Sequence, residues 1–289
     1  MSQSRLFCFG LGFSAAAVTR RMLREDWWVA GSRRDAAGCA WIAALGAEAY
    51  RFNESHALDA AALAGTTHLL TSIAPRADGD VVLASQAETI AALESLEWIG
   101  YISSTAVYGD RRGGLAVESD AVAPVSGRGR RRASAEAAWL ALGEGAGKPV
   151  QIFRAAGIYG PGRSALDQIA NGKLRRIDKP GQKFSRIHVD DLAEAVAASM
   201  AAPQAGTIYN LCDDEPASNA EVLAHACTLL GREPPPLVPY AEAEAGMSAM
   251  ARELWSDSRR IDNRRMHEVL GVALSYPSYR EGLAAILPT

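Results

Sequence analysis

No apolar run in this 289-residue chain approaches the length of a membrane span, so the sequence predicts no bilayer helix. Cysteine is scarce and scattered. Cys8, Cys39, Cys212 and Cys227 form no C-x-x-C pair, which argues against a disulfide framework or a cysteine-bound metal and predicts reduced, mostly core thiols. An excess of one charge is lacking too. With 30 Lys and Arg against 33 Asp and Glu, the net charge is −3, which gives no reason to expect nucleic acid as the partner. The few apolar residues after Met1-Ser-Gln-Ser-Arg5 are too short for a signal-peptide core, so a cytoplasmic protein is expected. The 48 % hydrophobic and 22 % charged content excludes a disordered chain.

What is present begins at Arg5-Leu-Phe-Cys-Phe-Gly-Leu-Gly-Phe-Ser-Ala15. A short apolar run enters Gly10-Leu-Gly12, and an Ala-rich helical pattern follows at once: strand, tight turn, helix. Gly10 supplies backbone freedom, Gly12 lets a ligand come close, and Ala15 is small enough for the helix to pack on the strand. The free N–H groups of the new helix then face whatever lies over the turn, ideally a pyrophosphate. A glycine turn of this kind also occurs without any ligand, and its place between strand and helix near the chain start favours the binding reading.

A second strand ends at Ser32-Arg-Arg34, about 20 residues on, where a dinucleotide fold reads the adenosine ribose. A carboxylate there would suit NAD. Ser32, Arg33 and Arg34 suit a 2′-phosphate instead, so NADP is expected; a solvated arginine pair is the competing reading. Further strands are predicted over 48–52, 67–73, 98–104, 149–153 and 207–211. Helices between them are predicted over 36–45, 56–64, 80–96, 133–142 and 190–202. This alternation means an α/β, doubly wound parallel sheet with helices on both faces. Ligands sit past the carboxyl ends of such strands. That rule gathers Gly10, Gly12, Phe13, Ser14, Ser32, Arg33, Arg34, Ser72, Ala74 and Ser103 around one cofactor crevice, with Ser104 beside it.

The stretch 111–132 reads as loop, and its basic run 127–132 as a solvated face. Beyond residue 211 the pattern turns helical, over 218–230, 241–254, 263–270 and 279–287. It reads as a small cap over the crevice. The expected domains are 1–211, which binds the dinucleotide, and 212–289, which faces substrate, with 155–184 contributing to the substrate side.

Laid out in order, the glycine turn, Ile102-Ser-Ser-Thr-Ala-Val-Tyr-Gly109, Glu118, Pro124, Arg154-Ala-Ala-Gly-Ile-Tyr-Gly-Pro-Gly162, Arg186-Ile-His-Val-Asp-Asp-Leu192 and Tyr209-Asn-Leu211 resemble an extended short-chain dehydrogenase/reductase of the NAD(P)-dependent epimerase/dehydratase type. The resemblance covers nearly the whole chain. It implies a Rossmann domain with a small C-terminal substrate domain, a sugar-nucleotide-like or other polar small-molecule substrate, and a homodimer, the assembly common in the family. By its distance from Val107-Tyr-Gly109, Ser104 matches the family serine that hydrogen-bonds the reacting oxygen.

The chain is an atypical member. Phe9 stands where the first family glycine falls, and Ala15 replaces the last. The family's Tyr-x-x-x-Lys is absent: Pro124 and Glu136 frame the window and put Arg128 at the Tyr position and Arg132 at the Lys position. A guanidinium does not give up a proton near neutrality, so Arg128 serves to stabilise charge or bind an anionic group, and Arg132 to hold the nicotinamide ribose. Tyr159, Tyr108 and His188 are the other candidate proton carriers near the crevice, each with structural packing as its alternative. The expected activity is NADP-dependent oxidation–reduction or epimerisation. A catalytically silent, NADP-binding redox-sensing or regulatory module is the second reading, favoured by the missing Tyr.

Overall fold

The computed structural model describes residues 3–172 and 175–287. Lys173 and Leu174, inside the 155–184 segment, lie outside the described residues, as do Met1 and Ser2 of the N-terminal segment. Seven strands form one sheet: β1 (Arg5–Phe9), β2 (Trp28–Arg33), β3 (Glu48–Arg51), β4 (His68–Thr71), β5 (Trp98–Ser104), β6 (Val150–Ala155) and β7 (Ile208–Leu211), in spatial order β7-β6-β5-β4-β1-β2-β3. Every neighbouring pair is parallel. The order reverses between β1 and β4, so a crevice opens there at the carboxyl ends of the strands.

Eleven helices are present among the described residues: α1 (Phe13–Arg24), α2 (Ala36–Ala44), α3 (Val81–Ala92), α4 (Gly127–Ala146), α5 (Ala165–Ala170), α6 (Val189–Ala201), α7 (Asn219–Leu229), α8 (Tyr240–Glu244), α9 (Ala249–Ser256), α10 (Arg264–Leu270) and α11 (Tyr279–Ile286). Side chains alternate across the strands, and β1 shows the division. Leu6 and Cys8 join Val18 of α1, Ile42 of α2 and Leu192 of α6 in one core. Phe7 and Phe9 join Ile90 of α3 and Trp139 of α4 in the other. A smaller cluster ties Tyr159, Leu166 and Ile169 to Val222 and Leu223 of α7 and to Leu283 of α11. No helix among the described residues is long and apolar enough to cross a membrane.

The expected alternation stands, with three local differences. The helix expected over 56–64 is only a 3₁₀ turn, Ala60–Leu63, because the main chain is already spent on a bridge between Asn53 and His56 and Gly65 turns left-handed at φ +70°. The helix expected over 241–254 divides into α8 and α9, with Ser248 capping the second by accepting from the Ala251 N–H. The basic run 127–132, expected as loop, is the first two turns of α4. Ser126 caps it, accepting from the Gly129 N–H at 3.0 Å. Gly129 is a poor helix former, yet a Cβ there would stand 2.7 Å from the Ala106 carbonyl oxygen and 2.9 Å from Pro124 Cβ. It is the point where α4 crosses closely over the turn that follows β5.

Candidate functional site

The glycine turn sits at the switch point, braced from both flanking strands. Gly10 N donates to Ser32 Oγ at 3.1 Å and Leu11 N to the Ser32 carbonyl at 3.0 Å. From β4's side, Ser72 Oγ donates to the Gly10 carbonyl at 2.6 Å. Gly10 has φ +73°, and a Cβ there would meet Ile73 Cγ1 at 2.5 Å, so both conformation and space demand glycine. Gly12 differs: an added Cβ would face open space apart from the Gly10 carbonyl at 3.7 Å. No side chain caps α1, which leaves its first N–H groups open to an anion. Open space over Gly12, floored by uncapped amides, fits a dinucleotide pyrophosphate.

This turn forms one wall of a cavity of about 890 Å³. Gly10, Gly12, Phe13, Ser14, Ser72 and Ser103 line it, as do Ser104, Arg128, Arg132 and Tyr159. The expected cofactor residues outside that wall are Ser32, Arg33, Arg34 and Ala74. Ser32, expected on the cofactor, is buried and serves as the brace of Gly10 instead. Ala74 lies exposed on the loop after β4. Arg33 and Arg34 close the far end of β2, and the parallel register sets Arg51 of β3 beside Arg33. The Arg33 guanidinium carbon lies 4.8 Å from the centre of the Trp41 ring. The one nearby carboxylate in sequence, Asp35, is engaged in capping α2, accepting from Gly38 N at 2.8 Å.

At the end of β5, Ser104 Oγ accepts from the Ala106 N–H at 3.2 Å, which leaves its own O–H free to donate into the cavity. Ser103 is spent differently. Its hydroxyl donates to Glu136, whose carboxylate also receives Arg154 Nη2 at 2.8 Å and Nε at 3.2 Å. The position is buried, and Ser103 thereby supports the wall that it also lines. Arg132 reaches back from α4, donating to the Ile102 carbonyl and, at 3.3 Å, to Tyr101 Oη. Arg128, one turn earlier, is exposed and has no hydrogen-bonded or ion-paired side-chain partner among the described residues.

The three expected proton carriers are each committed elsewhere. Tyr159 lines the cavity, but its hydroxyl donates to the Ser278 carbonyl at 3.3 Å, and it packs so closely on α11 that a Cβ at Gly282 would meet it. Burial, reinforced by the Asp213 and Asp191 carboxylates, drives its pKa well up. Tyr108 is fully buried and donates to Asn210 Oδ1 at 2.7 Å. His188 Nδ1 accepts from the Asp190 N–H at 3.2 Å, and burial lowers the ring's pKa against the pull of Asp190. Neither Tyr108 nor His188 reaches the cavity wall.

Sequence reasoning missed further cations on that wall. Arg163 lies against Phe13. Arg186 donates to the Phe184 and Ala217 carbonyls at 2.8 Å, and burial lowers its pKa against the opposing Asp213. Arg259 donates to Asp257 Oδ2 at 3.0 Å. Arg163 and Arg186 stand in or beside motifs already singled out; only the fold shows that they share one cavity.

A model of the NAD dependent epimerase/dehydratase family matches residues 10–212. The chain belongs to this family. Among relatives, a 3-diazoavenalumate denitrifying reductase of a Streptomyces species is 32 % identical over 139 residues. That match spans under half of each protein, 46 % of this chain and 45 % of the reductase. Protein YeeZ of Escherichia coli K12 is 27 % identical over 278 residues, 93 % of this chain and 94 % of YeeZ. A solved structure of a functionally unknown conserved protein from Silicibacter pomeroyi has 42 % identity and a TM-score of 0.90, covering 98 % of both chains. A UDP-glucuronic acid 4-epimerase from Bacillus cereus, solved with NAD, shares the fold at TM-score 0.77 with 16 % identity, over 97 % of this chain and 96 % of its own.

Proposed function

We propose that the protein is an NADP-dependent oxidoreductase or epimerase acting on a carbonyl or hydroxyl group of a polar, sugar-nucleotide-like small molecule. One observation carries the reading: a single cavity joins the open amide cradle at Gly12 to the free hydroxyl of Ser104 and the unpaired guanidinium of Arg128. Bound there, a nicotinamide dinucleotide supplies or accepts a hydride. The chain's own residues do the rest. Gly10, Gly12, Phe13 and Ser14 hold the pyrophosphate. Ser104 donates to the substrate oxygen and polarises it. Arg128 and Arg132 would stabilise negative charge that develops there, and Arg132 would also hold the nicotinamide ribose. Arg128 moves no proton, since a guanidinium stays charged.

The NADP preference rests on Arg33 and Arg34, joined by Arg51 across the register. A 2′-phosphate suits that fork, and Asp35 is engaged away from it. Residues 1–211 form the dinucleotide domain in this reading. Residues 212–289, with 155–184, close over the substrate side.

The test is a panel of nucleotide sugars and other carbonyl compounds, read as NADPH oxidation on the wild-type protein and on Ser104→Ala. Turnover that depends on Ser104 supports the enzyme. The second reading is a catalytically silent NADP-binding module, favoured by the arginine at position 128. Tight NADPH binding with no turnover on any compound, and no effect of Ser104→Ala, would establish it in place of the first.

A further inference from the structure

Arg163 arrives at the glycine turn from the opposite wall of the cavity. Residues 160–163 form a tight turn, closed by Gly160 N to the Arg163 carbonyl at 3.2 Å and by the reciprocal bond at 3.0 Å. Gly162 takes φ +76° within it. The turn leans on the start of α1. The Arg163 guanidinium carbon is 5.4 Å from the centre of the Phe13 ring. A Cβ on Gly160 would come 3.3 Å from Phe13 Cζ and 2.7 Å from Val189 Cγ1, so glycine at 160 is what permits the approach.

The guanidinium has no carboxylate partner among the described residues. Asp167, four residues on, does not serve as one. Its Oδ2 takes the Ser164 N–H at 2.7 Å and the Ser164 hydroxyl at 2.6 Å, as part of the cap of α5. An unpaired planar cation, stacked on Phe13 at the first position of α1, thus faces the same volume as the uncapped amides of that helix. For an exposed guanidinium, lying over a half-buried aromatic ring is a modest interaction; a bidentate grip on phosphate oxygens is a stronger use of the fork.

We propose that Arg163 is a cofactor-binding residue that clamps the dinucleotide pyrophosphate against the glycine turn. The α1 amides hold one side of the phosphates and the Arg163 guanidinium the other. The inference rests on the dinucleotide reading given above. Because Leu166 and Ile169 of the following helix pack on α7 and α11, the clamp links the cofactor groove to the helices on the substrate side.

Calorimetric titration with 2′-phospho-ADP-ribose, which carries the pyrophosphate, and with 2′-AMP, which lacks it, tests the clamp without turnover. The expected result is that Arg163→Gln weakens 2′-phospho-ADP-ribose by about tenfold or more, the scale of a lost charged hydrogen bond. Arg163→Lys recovers part of the loss, and 2′-AMP binds all three proteins equally. Equal affinity of wild type and Arg163→Gln for 2′-phospho-ADP-ribose would overturn the clamp and leave the dinucleotide reading intact. Parallel loss of 2′-AMP would also overturn it, because the effect would then be general field or fold. Failure of the wild-type protein to bind 2′-phospho-ADP-ribose, NADPH or NADH would instead remove the dinucleotide reading itself.

Discussion

Arg154 and Glu136 meet as a buried, forked ion pair behind the cavity wall, with each side chain 4 % exposed. The pair ties β6 to α4, and through the Ser103 hydroxyl it also holds the end of β5. Ser104 on β5 and Arg128 and Arg132 on α4 are therefore aligned by a network anchored behind the cavity wall. Glu136→Gln would leave the Arg154 charge buried with a neutral partner. We expect a loss of about 3–5 kcal/mol in urea unfolding. A loss below about 1 kcal/mol, the scale of an exposed pair, would contradict this role.

Ser104 accepts from the Ala106 amide and keeps its proton for the cavity. With an active substrate in hand, Ser104→Ala should lower kcat by about a hundredfold, the scale of one lost oxyanion donor. NADPH affinity should stay unchanged. Steady-state kinetics beside a fluorescence titration separates the two quantities, and a variant with wild-type kcat would dismiss the assigned role.

Two glycines of α4 should respond to alanine with opposite signs. Gly145 is exposed with nothing within 4 Å of an added Cβ, so Gly145→Ala should stabilise by about 0.5–1 kcal/mol through helix propensity. Gly129 abuts the Ala106 carbonyl and Pro124, so Gly129→Ala should destabilise by about 1–3 kcal/mol through overpacking. Denaturant midpoints of the two variants check the pair. Stabilisation by both would mean that α4 does not cross the β5 turn as closely as described.

Asp213 is 2 % exposed, and neither carboxylate oxygen has a hydrogen-bond partner among the described residues. Burial raises its pKa to about 8 against the lowering pull of Arg186. The folded state thus favours the protonated form, whereas the unfolded chain ionises near about 3.9. Its contribution to stability is fully present below that lower value and is lost as pH rises through about 8. The melting temperature of Asp213→Asn minus that of the wild type should therefore grow from pH 5 to pH 8. A constant difference across that range would show that Asp213 ionises normally.

Much of the fold was legible because local and tertiary signals agreed. Leu6, Cys8, Phe7 and Phe9 divide between two cores as strand alternation requires, and Gly10 marks the turn by a conformation that its space also demands. The basic run at 127–132 misled because Gly127 and Gly129 carry a loop signature. The reason for Gly129 is the Ala106 carbonyl, about 20 residues earlier in sequence, which no local pattern reveals. Ser32 stands near the end of β2, as the strand spacing predicts, but its hydroxyl faces Gly10 N across the sheet. Arg51 beside Arg33 follows from the β2–β3 register, and Arg163 over Phe13 from the folding of one loop across another. Both pairs were out of reach of spacing alone.

The proposed function stands on a dinucleotide site that prefers a 2′-phosphate. Fluorescence titration of the wild-type protein with NADPH and NADH tests it most directly, with Arg33→Ala and Arg51→Ala alongside. We expect NADPH to bind at least about tenfold tighter, the scale of charged hydrogen bonds to phosphate, and each variant to narrow that gap. Equal affinity for the two, or tighter binding of NADH, would contradict the account.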